Sequence, residues 1–201
     1  MKKILIIPVF YFSIIFHTHA NNYNFSNLEW GTSQEKVVEA LEKKFEIIRN
    51  EKGLMTVFKG SFIGEQLFGF ASFSENSLTG VLIFLIDGDS ESQKGYSWVG
   101  AQIVYDKLAS ALTQKYGEPN VLESFGSPYY SGDGYEEQAF EKKKALWAKH
   151  WPKNDDAETL LSLSIGKMII GDFYFAVVIN YKSDEQIAES KSAEKEDLND
   201  L

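Results

Sequence analysis

The sequence predicts an α+β domain: an antiparallel sheet with two helices packed on one face, in which a helix-then-strands order occurs twice. Three observations carry this expectation. Two segments, starting near Thr32 and Trp98, repeat apolar residues at three- and four-residue steps. Each is followed by apolar runs of strand length, and turn residues rather than further helices separate those runs.

The chain begins with a segment of a different kind. Lys2 and Lys3 precede the apolar run Ile4 to Phe16, and His17-Thr18-His19-Ala20 ends on a small residue. That is the layout of a secretory signal peptide over residues 1–20, with an apolar run shorter than the roughly 20 residues a permanent membrane helix needs. The mature chain is expected to start near Asn21, to fold as one domain over 21–182, and to reside in the periplasm or outside the cell.

Each element has its own justification. Thr32 and Glu35 stand at capping-box spacing before a helix whose Val37, Val38, Leu41 and Phe45 face a core. Strands are expected over Leu54 to Ile63, Gln66 to Phe73 and Leu78 to Ile86, with turns at Gly64-Glu65 and Glu75-Asn76. The last of these runs is apolar on both faces at its centre, as an interior strand would be. A second helix spans Trp98 to Tyr116; Trp98, Ala101, Tyr105, Leu108 and Leu112 form its stripe, widened by Ile103 and Val104. Gly117 stops it and Pro119 prevents its continuation. Further strands are expected at Val121 to Phe125, around Leu146 and Trp147, at Thr159 to Ile165 and at Phe173 to Tyr181. Gly126 to Gln138, rich in Gly, Ser and Tyr, reads as a long loop. From Ser183 to Leu201 the composition is Glu, Lys, Ser and Ala without an apolar face, which predicts a disordered acidic tail.

Composition restricts the chemistry. Without cysteine there is no disulfide, no thiol nucleophile and no lipid-anchor box. The formal net charge of −9 becomes more negative once the leader removes two lysines and no acid. Such a chain repels phosphate backbones, which argues against nucleic acid, whereas its field admits a basic protein partner. Of three histidines two lie in the leader, leaving His150, and Arg49 is the sole arginine. A two-histidine metal site and a paired-arginine phosphate clamp are therefore excluded from the mature chain, and no cofactor is expected. Carboxylate-pair hydrolysis remains open.

Four places could carry function, each beside a plainer reading. Asp87, Asp89 and Glu91 alternate in a turn, as oxygen ligands of calcium can, but Trp98 stands where a full loop needs its bidentate acid; the plainer reading is a solvated turn. Trp147-Ala148-Lys149-His150-Trp151-Pro152 sets two indoles beside an imidazole, as a sugar-stacking platform or an interface anchor would; the plainer reading puts Trp147 in the core, with His150 and Trp151 at the exposed end of its strand. Tyr129, Tyr130 and Tyr135, interleaved with Gly and Ser, have the chemistry of an adaptable recognition loop; otherwise they fold back on the sheet. Glu136 or Glu137 with Asp133 could form an acid pair for glycan cleavage; the plainer reading is a solvated charged face. No Gly-x-Ser-x-Gly elbow is present to expose a serine nucleophile.

Leu28-Glu29-Trp30-Gly31-Thr32-Ser33, the later Tyr105 to Pro119 segment ending Lys-Tyr-Gly-x-Pro, the Trp147 strand and the Phe173 to Tyr181 strand together resemble a loose group of small secreted bacterial domains. That resemblance implies a helix-and-sheet layout like the β-lactamase-inhibitor-protein and outer-membrane assembly lipoprotein families. It implies a scaffold that binds or inhibits by protein contact. The anchoring cysteine of the lipoprotein members is missing here. The resulting expectation is a secreted, non-enzymatic protein-binding domain of inhibitor or toxin-immunity type. The competing expectations are a carboxylate-dependent hydrolase of envelope glycans or peptides and an envelope assembly module.

Overall fold

The computed structural model describes residues 24–87, 95–152, 159–168, 174–189 and 192. The leader, most of the acidic turn including Asp89 and Glu91, and most of the acidic tail lie outside the described residues. Eight strands form one antiparallel sheet. In chain order the elements are α1 (Gln34–Glu42), β1 (Glu46–Glu51), β2 (Met55–Phe62), β3 (Glu65–Ser74), β4 (Ser77–Ile86), α2 (Trp98–Tyr116), β5 (Asn120–Phe125), α3 (Glu136–Glu141), β6 (Ala145–Pro152), β7 (Thr159–Met168) and β8 (Tyr174–Lys182). A short helix, α4, follows over 184–189.

The spatial order β1-β2-β3-β4-β8-β7-β6-β5 shows the duplication that the helix-then-strands order predicts. Each half is a long helix followed by four strands, with α3 inserted between β5 and β6 in the second, and the halves meet through their last strands, β4 and β8. The same device recurs at the entrance to each helix. Ser33, just before α1, bridges to Ser77 at the start of β4; Tyr96, just before α2, bridges to Phe175 at the start of β8. In both halves the chain is thus tied to its own fourth strand before the helix begins.

Both long helices pack on one face. Val37 and Leu41 of α1 and Ala101, Tyr105, Leu108 and Leu112 of α2 share a single core with Phe58, Leu67, Ile83, Leu163, Val177 and Ile179 of the sheet. Each half has its own aromatic nucleus. Phe25, Phe45 and Phe58 meet at 5.3–5.9 Å in the first. In the second, Trp98 contacts Phe140, Trp147 and Phe175 at 4.9–5.6 Å. Gly69 is required where the Phe58 ring crosses β3, since a Cβ there would stand 2.1 Å from it.

Alternation along the strands puts Val57, Phe68, Phe70, Leu82 and Phe84 on the opposite face, half-buried, with Phe70 and Phe84 edge-on at 5.8 Å. β4 is therefore interior in the sheet, as expected, yet only one of its apolar faces lies beneath α1 and α2. At the Gly80 end of the other face Gln186 of α4 approaches so closely that a Cβ on Gly80 would meet it at 2.3 Å.

Several expectations need correction. The N-cap of α1 is Ser33, not Thr32, and its side chain makes no cap bond. The carbonyl of Thr32 instead accepts from the Leu78 amide, so this stretch already belongs to the sheet. The first hairpin turn is Ile63-Gly64, closed by the Phe62–Glu65 pair, one residue earlier than expected. Ile103 is exposed and lies off the buried stripe of α2. β1 and α3 had no apolar signature to predict them. The segment 184–189, expected within the disordered tail, is helical, and Ile187 is buried in the core.

Candidate functional site

The hairpin β5–β6 and its connection concentrate exposed apolar surface. Of the ten large hydrophobic side chains exposed among the described residues, Val121, Leu122, Tyr130, Tyr135 and Leu146 all lie between Asn120 and Leu146. Isolated exposed hydrophobics are ordinary on a protein surface, whereas here they gather along one hairpin and its connection, with Val121 on the helix-side face of β5 and Leu122 and Leu146 on the other, so that apolar side chains border the β5 edge from both faces.

The connection is braced from within. Asp133 accepts from the Tyr130 amide through Oδ2 at 2.9 Å and from the Tyr135 amide through Oδ1 at 2.7 Å. Glu136 accepts from the Gly132 amide at 2.7 Å, and Lys144 Nζ donates to the Ser127 carbonyl at 2.6 Å. Gly132 and Gly134 take the positive φ values that these tight reversals require. Asp133 and Glu136, the carboxylates conceivable as an acid pair, therefore serve as struts. Behind the loop α3 buries Ala139 and Phe140, with Phe140 against Trp98. The rings of Tyr130, 65% exposed, and of Tyr135 are thus held on a fixed backbone and face solvent, while Tyr129 is half-buried.

Beside this loop runs a sheet edge. β5 is the last strand in the order, and no described residue pairs with its outer side. The two edges differ. β1 is blunted in the usual ways, by a bulge between Ile47 and Arg49 and by the charges of Glu46, Arg49 and Glu51. β5 keeps an unbroken register against β6, from Asn120↔His150 to Phe125↔Ala145. Its direction of hydrogen bonding follows from one contact: the Gly126 amide donates to the Lys144 carbonyl at 2.7 Å. Inward and outward groups alternate along an antiparallel strand, so Ser124, Leu122 and Asn120 also face β6. The N–H and C=O groups of Val121, Glu123 and Phe125 point outward.

The tryptophan cluster departs from its expected role. Trp151 is 1% exposed, and its indole Nε1 donates to the Gly117 carbonyl at 2.9 Å. It fastens β6 to the end of α2 and cannot serve as a surface anchor. Trp147 is partly buried against Trp98 and Phe125. His150 lies on the face away from the two long helices, between Asn120 and Ser162, and burial, with Lys182 nearby, lowers its pKa below 6.5. It is separated from the tyrosine loop by the length of β6. The five residues expected to act together thus divide: Tyr130 and Tyr135 on the surface, Tyr129 half-buried, His150 on the sheet, Trp151 in the core.

Among the described residues no cluster of three or more His, Asp or Glu could hold a metal. Of the calcium candidates only Asp87 is described, and it is exposed. No helix among the described residues is long and apolar enough to cross a membrane. No protein family, curated protein or solved structure matches this chain.

Proposed function

We propose that this protein is a non-enzymatic binding protein whose β5 edge and adjoining tyrosine loop take an extended strand of another protein. The observation that carries the reading is the asymmetry of the two sheet edges: β1 is bulged and charged, while β5 is regular and flanked by exposed Val121, Leu122, Tyr130 and Tyr135. Strand addition draws affinity from main-chain hydrogen bonds and specificity from alternate side chains. Rigid tyrosines lose little entropy when they become buried, and they recur at binding hot spots.

The chain's acidity favours a basic partner through steering rather than through contact strength. The signal-peptide layout of residues 1–20 supports an envelope or extracellular setting, in which an inhibitor or immunity factor against an incoming protein is the reading in best accord with a braced recognition loop.

Val121 supplies the test because its amide points outward. Affinity capture from an extract of the native host with Val121→Ala, which keeps that amide, should recover the same partner as wild type. Val121→Pro, which removes the amide without touching the β6 ladder, should lose it, as should Tyr130→Ala with Tyr135→Ala. Equal recovery by Val121→Pro would refute strand addition.

A further inference from the structure

A cleft of about 480 Å³ opens in the first half of the fold, near the β2–β3 turn and far along the sheet from β5. Its size lies within the range of small-molecule sites, roughly 300–1,000 Å³. The apolar wall is aromatic: Phe25, Phe45 and Phe62, with Phe25 meeting Phe45 and Phe62 at 5.7 Å each. Gly60 fixes the position of Phe45, since a Cβ on it would stand 2.8 Å from that ring. Lys44 and Ser26 supply the polar side, with Lys44 Nζ donating to Ser26 Oγ at 3.1 Å.

Two further observations bear on what this cleft would hold. The first is charge. The surrounding lysines are matched: Lys43 with Glu39 at 3.4 Å, Lys59 with Glu46 at 3.1 Å and Lys107 with Glu65 at 3.7 Å. Lys44 has no carboxylate partner among the described residues, in a chain with a surplus of acids. The second is backbone strain. Ser26 (φ 53°), Asn27 (φ 61°) and Ile63 (φ 51°) adopt left-handed conformations, and Ser26 and Ile63 line the cleft. A β-branched residue there is an outlier, and the first position of a two-residue turn with positive φ normally takes Asn, Asp or Gly. Asparagine would relieve the turn but remove the apolar side chain that Ile63 contributes to the wall. Strain retained at a ligand wall is a recurrent mark of function.

We propose that this cleft binds a small amphipathic carboxylate, its apolar body among Phe25, Phe45, Phe62 and Ile63 and its head on Lys44 Nζ and Ser26 Oγ. The ammonium meets the negative head with a charge-assisted hydrogen bond, and the hydroxyl adds a neutral donor. The site is independent of the β5 edge, and its failure would leave the strand-addition reading untouched.

Calorimetric titration of the purified protein with decanoate tests it. Wild type should bind saturably at one site and more tightly than it binds decan-1-ol, which has the same chain and no charge. Lys44→Ala should weaken binding about tenfold while Lys44→Arg retains it. Ile63→Asn should raise the melting temperature by relieving the turn and weaken binding by removing the wall, a split that a purely structural role would not produce. Absence of saturable binding by wild type, or equal affinity in Lys44→Ala, would overturn the proposal.

Discussion

Replacing Trp151 by alanine should be among the most destabilising single changes in this domain. The indole is 1% exposed and fills the space between β6 and the end of α2. A tryptophan of this kind removes about 150–250 Å² from water, which at about 25 cal/mol per Å² corresponds to roughly 4–6 kcal/mol. Partial collapse of the neighbours offsets some of that, and measured truncations of large aromatics fall at about 3–5 kcal/mol. The lost bond to the Gly117 carbonyl adds little, because Gly117 is exposed and water can replace the donor. A loss of about 3–5 kcal/mol is a fifth or more of the roughly 5–15 kcal/mol stability of a typical domain. Urea unfolding followed by far-UV circular dichroism should show the midpoint of Trp151→Ala falling steeply with an unchanged slope. Tyr130→Ala, at the tip of the loop, should stay within about 0.5 kcal/mol of wild type. A cost below about 1 kcal/mol for Trp151→Ala would refute the core placement, and with it the division of the aromatic residues into structural and contact sets.

Three other outcomes follow from the same geometry. His150 has a folded pKa below its ordinary 6.5, so the unfolded chain binds the proton more readily; its neutral form stabilises the fold above that value, and stability should fall as pH drops below 6.5. In His150→Gln that loss should shrink, measured as urea midpoints between pH 7.5 and 5. Gln34, buried at the start of α1, accepts from the Gly53 amide at 2.7 Å and donates to Asn50 Oδ1 and the Glu51 carbonyl at 2.7 and 2.9 Å. Gln34→Leu removes the partner of the Gly53 amide and of the Glu51 carbonyl, both half-buried, while Asn50 Oδ1 keeps the Thr56 hydroxyl at 2.9 Å, and it should cost about 1–2 kcal/mol in the same urea assay. Asp133→Ala should leave the unfolding free energy within about 0.5 kcal/mol of wild type while accelerating amide exchange at Tyr130 and Tyr135, since it removes an acceptor from an exposed loop rather than from the core.

The elements with strong periodicity were legible in the sequence. α2 falls on Trp98–Tyr116 as its apolar spacing, Gly117 and Pro119 predict. β2, β3 and β4 lie within a residue or two of their apolar runs. β1 was not legible, because an edge strand reading Glu-Ile-Ile-Arg-Asn-Glu is charged for the reason that makes it a protected edge. α4 was hidden because among its described residues Ile187 is the one buried apolar side chain, and its other ties, Ser183 to the Thr79 carbonyl and Gln186 against Gly80, are tertiary contacts. The helix start at Thr32 misled because capping-box spacing is local, whereas the pairing of this stretch with β4 is a tertiary contact.

At the site, the tyrosine loop was visible as Tyr among Gly and Ser, and the role of Trp151 was not, since strand-end burial depends on what packs beneath it. The openness of β5 was invisible in Asn-Val-Leu-Glu-Ser-Phe, because only the strand order makes that run an edge. Nor could spacing bring Phe25, Lys44 and Ile63 together around one cleft; the register of β2 against β3 and the packing of α1 do that.

The most direct test of strand addition at β5 is amide hydrogen exchange of the protein alone and in complex with the captured partner. In the free protein the Leu122 and Ser124 amides, directed at β6, should exchange slowly, and those of Val121, Glu123 and Phe125 should exchange fast. On binding, this second set should become protected together with the tyrosine loop. Unchanged exchange at Val121, Glu123 and Phe125 in a saturated complex would contradict the account.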